Sequence, residues 1–189
     1  MVFDSTVYVV FLILVVLLYW RLPFRPQNYF LLAASYFFYG WWDWRFTFLM
    51  AGSTFFDFLI ARAIGRSNNP VHRKRLLILS LALNFTFLGV FKYFNFFVDS
   101  FVHITALLGL KSIPISVWSI LLPPGISFYT FQEVAYIVDV YQRKIEPAES
   151  LVDYALFISL FPHLIAGPIQ GAVAFTERLA HVFLQEDLD

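Results

Sequence analysis

Apolar residues gather into long uncharged stretches at 5–20, 26–42, 76–91, 112–132 and 154–176. A further run, 46–64, carries only Asp57 and Arg62. Several of these approach the roughly 20 residues that a helix needs to span a hydrocarbon core. The pattern predicts about six hydrophobic helices, near Thr6–Trp20, Tyr29–Trp42, Phe46–Ile64, Leu76–Val98, Ile113–Tyr141 and Leu151–Ile169. The expected fold class is all-α, a polytopic transmembrane helical bundle. The first run has Asp4 in place of a basic leader, lacks a small-residue cleavage site and leads straight into another apolar run, so it reads as a retained anchor. Gly65–Pro70 reads as a loop between helices and not as a domain boundary. Residues 1–189 are therefore expected to form a single membrane domain. Near its end, Phe175, Leu179, Val182 and Phe183 share one helical face among Glu177, Arg178 and Gln185. Residues 171–189 thus predict an interfacial helix, and the acidic end reads as an interruption.

Composition supports a membrane location. The chain is 60% hydrophobic, 21% aromatic and only 14% charged, against roughly 45–50% apolar and about 25% charged in a typical soluble domain. Disorder is excluded by the same figures. Thirteen Lys and Arg balance thirteen Asp and Glu, leaving no basic excess for nucleic acid. With no cysteine there is no disulfide, thiolate nucleophile or cysteine metal site.

The basic residues are unevenly placed. Arg21 and Arg25, then Arg62, Arg66, Arg73, Lys74 and Arg75, then Arg143 and Lys144 fall on one set of alternate loops. Arg45 and Lys111, with Lys92 near a helix end, fall on the other. The positive-inside rule then places the 65–75 loop in the cytoplasm and the N-terminus outside. Trp41, Trp42 and Trp44 cluster where amphipathic rings anchor at an interface.

Candidate chemistry lies where the membrane rules are broken. Pro123 and Pro124, followed by Gly125, should break a helix that restarts near Ile126. Beyond the break, Gln132, Tyr136, Asp139 and Arg143 are spaced by four, three and four residues and share a helical face. That stripe can line a substrate channel, or it can make interhelical hydrogen bonds and an ion pair near the cytoplasmic interface. Glu133 lies about 100° away around the helix and is expected to serve packing or a separate contact. A second break gathers Pro162, His163, Gly167 and Pro168, which suggests a broken or re-entrant segment. His163 there is a weak candidate for a general base and is better suited to a structural hydrogen bond. The four histidines, at 72, 103, 163 and 181, lack metal-ligand spacing. No metal and no cofactor is expected.

The same two segments carry a resemblance. Gly125-Ile126-Ser127-Phe128-Tyr129-Thr130-Phe131-Gln132, with Tyr136, Asp139, Val140 and Tyr141, resembles a signature of the membrane-bound O-acyltransferase family. The match is to the bacterial branch of alginate O-acetylases and the D-alanyl transfer protein of teichoic acids. Phe161-Pro162-His163-Leu164-Ile165-Ala166-Gly167-Pro168-Ile169 is similar to a second signature of that branch. The Met1–Ser5 start and the Phe38-Tyr39-Gly40-Trp41 run resemble its N-terminal helices. The chain departs from the family pattern at Pro124 and at Gln170.

The resemblance implies a membrane enzyme that moves an acyl group, usually acetyl, onto a polysaccharide or other hydroxyl acceptor through a central tunnel. It implies a catalytic histidine in a later Trp-rich segment, and this chain has none of that kind. Residues 1–189 are expected to be an N-terminal portion that is inactive alone. Gln132, Tyr136 and Asp139 become tunnel-lining candidates, and the Pro and Gly breaks would give the tunnel width. Expected partners are the lipid bilayer, the acyl donor, a polysaccharide acceptor such as alginate, and polysaccharide-modification proteins. A non-catalytic membrane scaffold and a transporter are the other readings of the same helices.

Overall fold

The computed structural model describes residues 6–41, 43–107 and 125–160. Among them every regular element is an α-helix: α1 (Thr6–Tyr19), α2 (Phe24–Gly40), α3 (Trp44–Arg66), α4 (Pro70–Leu107), α5 (Ile126–Tyr141) and α6 (Leu151–Ser159). Each matches one predicted hydrophobic helix, with different ends. Pro123, Pro124, Pro162, His163, Gly167, Pro168 and the 171–189 segment lie outside the described residues.

The ends move because polar caps extend apolar runs. α3 begins at Trp44, where the Asp43 carboxylate accepts the Arg45 amide at 2.9 Å. α4 begins at Pro70, a residue suited to the first helical turn because its missing N–H needs no partner there. Asn69 Oδ1 accepts the Val71 and His72 amides at 2.9 and 3.3 Å. No further Pro interrupts α4 before Leu107, and Gly89 is carried within the helix. Its 38 residues make it about 57 Å long, well beyond a hydrocarbon core of roughly 30 Å. The chain turns between α1 and α2 within four residues, and Gln27 Nε2 donates to the Tyr19 and Leu22 carbonyls at 3.2 and 2.8 Å. α5 restarts at Ile126, as the Pro-Gly break predicts. Gly125 adopts a left-handed conformation there (φ 75°), which an L side chain would resist.

α3 is the hub, packing against α2, α4, α5 and α6. Its core includes Met50, Phe58, Ala61 and Ile64, joined by Tyr39, Tyr129, Ile137 and Tyr154 from its neighbours. α1 packs on α2 through Val15, Ala34 and Phe38 and exposes most of its Val and Leu side chains. α3 and the Pro70–Phe94 part of α4 are long and apolar enough to cross a membrane.

Contacts bring the basic loops to one end. Arg73, at the start of α4, donates to the Tyr141 carbonyl at the end of α5 at 2.6 Å. Asn28, near the start of α2, donates to Asp153 of α6 at 2.9 Å. Gly65, near the end of α3, sits against Pro147 of the loop after α5. Trp41 and Trp44 are exposed between α2 and α3, at the opposite end of α3 from Arg66.

Candidate functional site

The buried face of α5 runs Ile126, Tyr129, Thr130, Glu133, Tyr136, Ile137 and Val140. This stripe wins because its Ile, Tyr and Val side chains bury more apolar area than the Gln132–Asp139 side. Packing therefore carries Glu133 into the interior, completely buried, and turns Gln132 and Asp139 to the flank.

On α3, Asp57 lies four residues after Ser53 and three after Thr54, so both hydroxyls neighbour it on one side of the helix. Glu133 Oε1 accepts from Ser53 Oγ at 3.1 Å and from Thr54 Oγ1 at 2.9 Å. Asp57, also buried, meets α4 instead. Ser80 Oγ donates to its Oδ1 at 2.5 Å, and Asn84 Nδ2 donates to its Oδ2 at 2.6 Å. Ser80 and Asn84 are one helical turn apart, which is why both reach the same carboxylate. Two buried carboxyl groups from α3 and α5 are thus held by hydroxyl and amide groups of α3 and α4. Aromatic rings enclose them: Tyr136 and Tyr154 lie 4.5 Å apart between ring centroids, and Tyr154 stacks on Phe58 at 6.2 Å.

The three tunnel-lining candidates face different neighbours. Gln132 Nε2 donates to the Phe157 carbonyl of α6 at 3.0 Å. The Ala148 amide donates to Tyr136 Oη at 2.8 Å. Asp139 lies 3.5 Å from Lys144 Nζ at the basic end. Arg143, the fourth residue of the stripe, is exposed and left-handed (φ 60°) where α5 terminates. The structure thus brings Tyr136 and Glu133 onto one buried face and leaves Gln132 and Asp139 on its margin. His72 and His103 are exposed, away from the buried carboxyls.

The Asp57 and Glu133 cluster is the feature that the polar-stripe argument passed over. Its signals are present in the sequence. Asp57 is one of two charges in the 46–64 run, Ser80 and Asn84 are four apart in an uncharged run, and Glu133 precedes about two apolar-rich turns. Their convergence needs three helices and so is invisible to any single-helix pattern. Chemically, the cluster offers hydroxyl, amide and carboxyl oxygen atoms in an apolar setting. Among the described residues, no group of three or more His, Cys, Asp or Glu gathers.

No family model matches the chain, and no solved structure matches it. Curated relatives do. A probable alginate O-acetylase of Pseudomonas aeruginosa is 43% identical over 183 residues, covering 96% of this chain and 35% of that protein. The corresponding protein of Azotobacter vinelandii is 44% identical over 171 residues, covering 89% of this chain and 34% of its own. A peptidoglycan O-acetyltransferase of Helicobacter pylori is 34% identical over 175 residues, covering 80% of this chain and 32% of its own. The chain spans about a third of the length of these relatives. Over most of its own length it is thus similar to bacterial alginate O-acetylases, and it fits the N-terminal portion of a membrane-bound O-acyltransferase.

Proposed function

We propose that this chain is the N-terminal portion of a membrane-bound O-acetyltransferase that places acetyl groups on the hydroxyls of an exopolysaccharide such as alginate. The observation that carries this reading is the match along 96% of the chain to a probable alginate O-acetylase. The peptidoglycan O-acetyltransferase relative keeps the transferred group and changes the acceptor, which favours acetyl transfer over any one polymer.

In this reading residues 1–189 form one membrane domain of about six hydrophobic helices in the bacterial inner membrane. The N-terminus lies outside, and 171–189 forms an interfacial helix. The gathering of the Arg66–Arg75 and Arg143–Lys144 loops at one end supports the cytoplasmic assignment of that end. Gln132, Tyr136 and Asp139 shape and hydrate the acyl-transfer tunnel. The breaks at Pro123, Pro124, Gly125, Pro162, Gly167 and Pro168 widen it. Transfer to a hydroxyl needs a general base within about 2.6–3.2 Å of the acceptor proton. His163 is the weak candidate here, and the base is expected in a later part of the enzyme. Polysaccharide-modification proteins are the expected partners.

The test is genetic and chemical. The protein carrying this chain is expressed in a bacterium whose own alginate O-acetylase gene is deleted, and polymer-linked acetate is measured. Restored acetate supports the reading. A membrane-inserted protein that restores none, on alginate or on peptidoglycan, would favour the scaffold alternative.

A further inference from the structure

We propose that the junction of α3, α5 and α6 binds one small, hard monovalent cation, held by the Glu133 carboxylate and the hydroxyls of Ser53 and Tyr154. The inference is independent of acyl transfer. Two demands of the packed structure converge on it.

The first is charge. Asp57 and Glu133 are 2% and 0% exposed, and buried carboxyl groups among apolar helices call for a compensating positive charge. Among the described residues, the ion pairs are Arg45 with Asp43 and Lys144 with Asp139, both at helix ends. The titratable groups that act on this junction are Tyr36 and Tyr39 of α2, Asp57 of α3, Tyr129, Glu133 and Tyr136 of α5, and Tyr154 of α6. None of them can carry a positive charge, and the Arg62 guanidinium beside them is engaged over the Phe58 ring at 5.4 Å.

The second is unused lone pairs. Both Asp57 oxygens are taken, by Ser80 and Asn84. The Asn84 amide is oriented by its own helix, because the same Nδ2 also donates to the Ser80 carbonyl at 3.1 Å. Glu133 Oε1 is taken by Ser53 and Thr54, but Oε2 is buried with no partner among the described residues. The Tyr154 hydroxyl is likewise buried with no partner among the described residues, and it lies in the electrostatic field of both Glu133 and Asp57. Unsatisfied buried polar atoms are rare in native proteins and commonly mark a bound water or ion. One charged oxygen with neutral hydroxyl oxygens around it suits a monovalent cation. Divalent ions draw more carboxylates.

An approach exists beside the junction. A crevice of about 130 Å³ between α3 and α4 is lined by Ser53, Phe56, Asp57, Leu83, Asn84 and Phe87. Its Ser53 wall is the hydroxyl that reaches Glu133. The volume exceeds the share of about 30 Å³ that each water takes in the liquid, so a partly hydrated ion fits.

The experiment uses the full-length protein, purified in detergent. Its Tm is followed as sodium chloride replaces choline chloride at constant ionic strength. The expected result is a saturable rise in Tm with sodium that is lost in Glu133→Gln and weakened in Tyr154→Phe. If Glu133→Gln does not fold, the wild-type titration and Tyr154→Phe still decide the matter. A wild-type Tm that stays flat as sodium replaces choline overturns the proposal. So does a sodium shift that is unchanged in both variants. A carboxyl infrared band that responds to pH and ignores sodium also overturns it, because protons alone would then supply the charge.

Discussion

Tyr136 illustrates how one side chain serves two masters at the residue scale. Its ring packs in the core against Tyr154, while its hydroxyl accepts the Ala148 amide beyond the end of α5. Tyr136→Phe keeps the ring and leaves that amide without its acceptor, a loss of about 1–3 kcal/mol if water cannot replace it. Asp139 differs, since its partner Lys144 is 57% exposed and a surface ion pair contributes little. In the complete enzyme, Tyr136→Phe should lower abundance and acyl transfer in step. Asp139→Asn should lower acyl transfer more than abundance if Asp139 lines the tunnel. Quantifying both in the same membranes checks this, and a proportionate loss for Asp139→Asn would remove it from the tunnel wall.

Helix ends are where elements meet, and glycine shows it. Ala is favoured over Gly inside a helix by roughly 0.5–1 kcal/mol. At Gly52 an added Cβ meets nothing within 4 Å, so Gly52→Ala should stabilise by up to about that amount. At Gly65 the same methyl would lie 2.6 Å from Pro147 Cγ, within the α3 contact with the loop after α5. The Pro147 ring is stiff, so Gly65→Ala should destabilise despite the helix preference. Thermal melts of the two variants in detergent should move in opposite directions, and a shared direction would refute the contact. At the other end of α3, the Arg45 side chain and amide hold the Asp43 carboxyl below its ordinary value of 3.8. A carboxyl lowered on folding stabilises the native state above its unfolded pKa and loses that effect as pH falls through the folded value. The difference in Tm between wild type and Asp43→Ala should therefore be present at pH 7 and shrink below about pH 4. A difference that grows on acidification would contradict the cap. Its size should be modest, since the pair is exposed and screened.

On the scale of the whole molecule, α3 separates the Trp41 turn from the Asn68 loop by 23 helical residues. That length is about 34 Å, enough to cross a hydrocarbon core. The chain has no native cysteine, so single cysteines at Trp41 and Asn68 can be labelled without background. An impermeant maleimide applied from outside should label Trp41→Cys and spare Asn68→Cys until the membrane is opened. Equal labelling of both would break the proposed topology. The second expectation concerns activity. Residues 1–189 expressed alone should leave polymer acetate at background, because they hold no histidine oriented by a carboxylate among the described residues. Acetate above background that vanishes in His163→Ala would make His163 the base and overturn that expectation.

The sequence by itself determined the elements and their order. Long uncharged runs fix where helices form, because backbone polar groups in an apolar medium must bond within their own segment. The Pro-Gly break fixed the restart at Ile126, since Gly125 alone there takes a left-handed φ without a side-chain penalty. The family was legible too, in two motifs that are read along a single strand of text. The apolar pattern placed α4 six residues late, because Pro70 and the Asn69 side chain start the helix ahead of the apolar run. The face of α5 was a decision of tertiary structure. The spacing of Gln132, Tyr136, Asp139 and Arg143 describes one helical face, but burial followed the larger apolar area of the Ile126–Val140 stripe and carried Glu133 inside. The meeting of Glu133 with Ser53 and Thr54, and of Asp57 with Ser80 and Asn84, joins residues 23 to 80 positions apart. Helical periodicity relates neighbours three or four positions apart, so only the packing of α3 against α4 and α5 could bring these groups together.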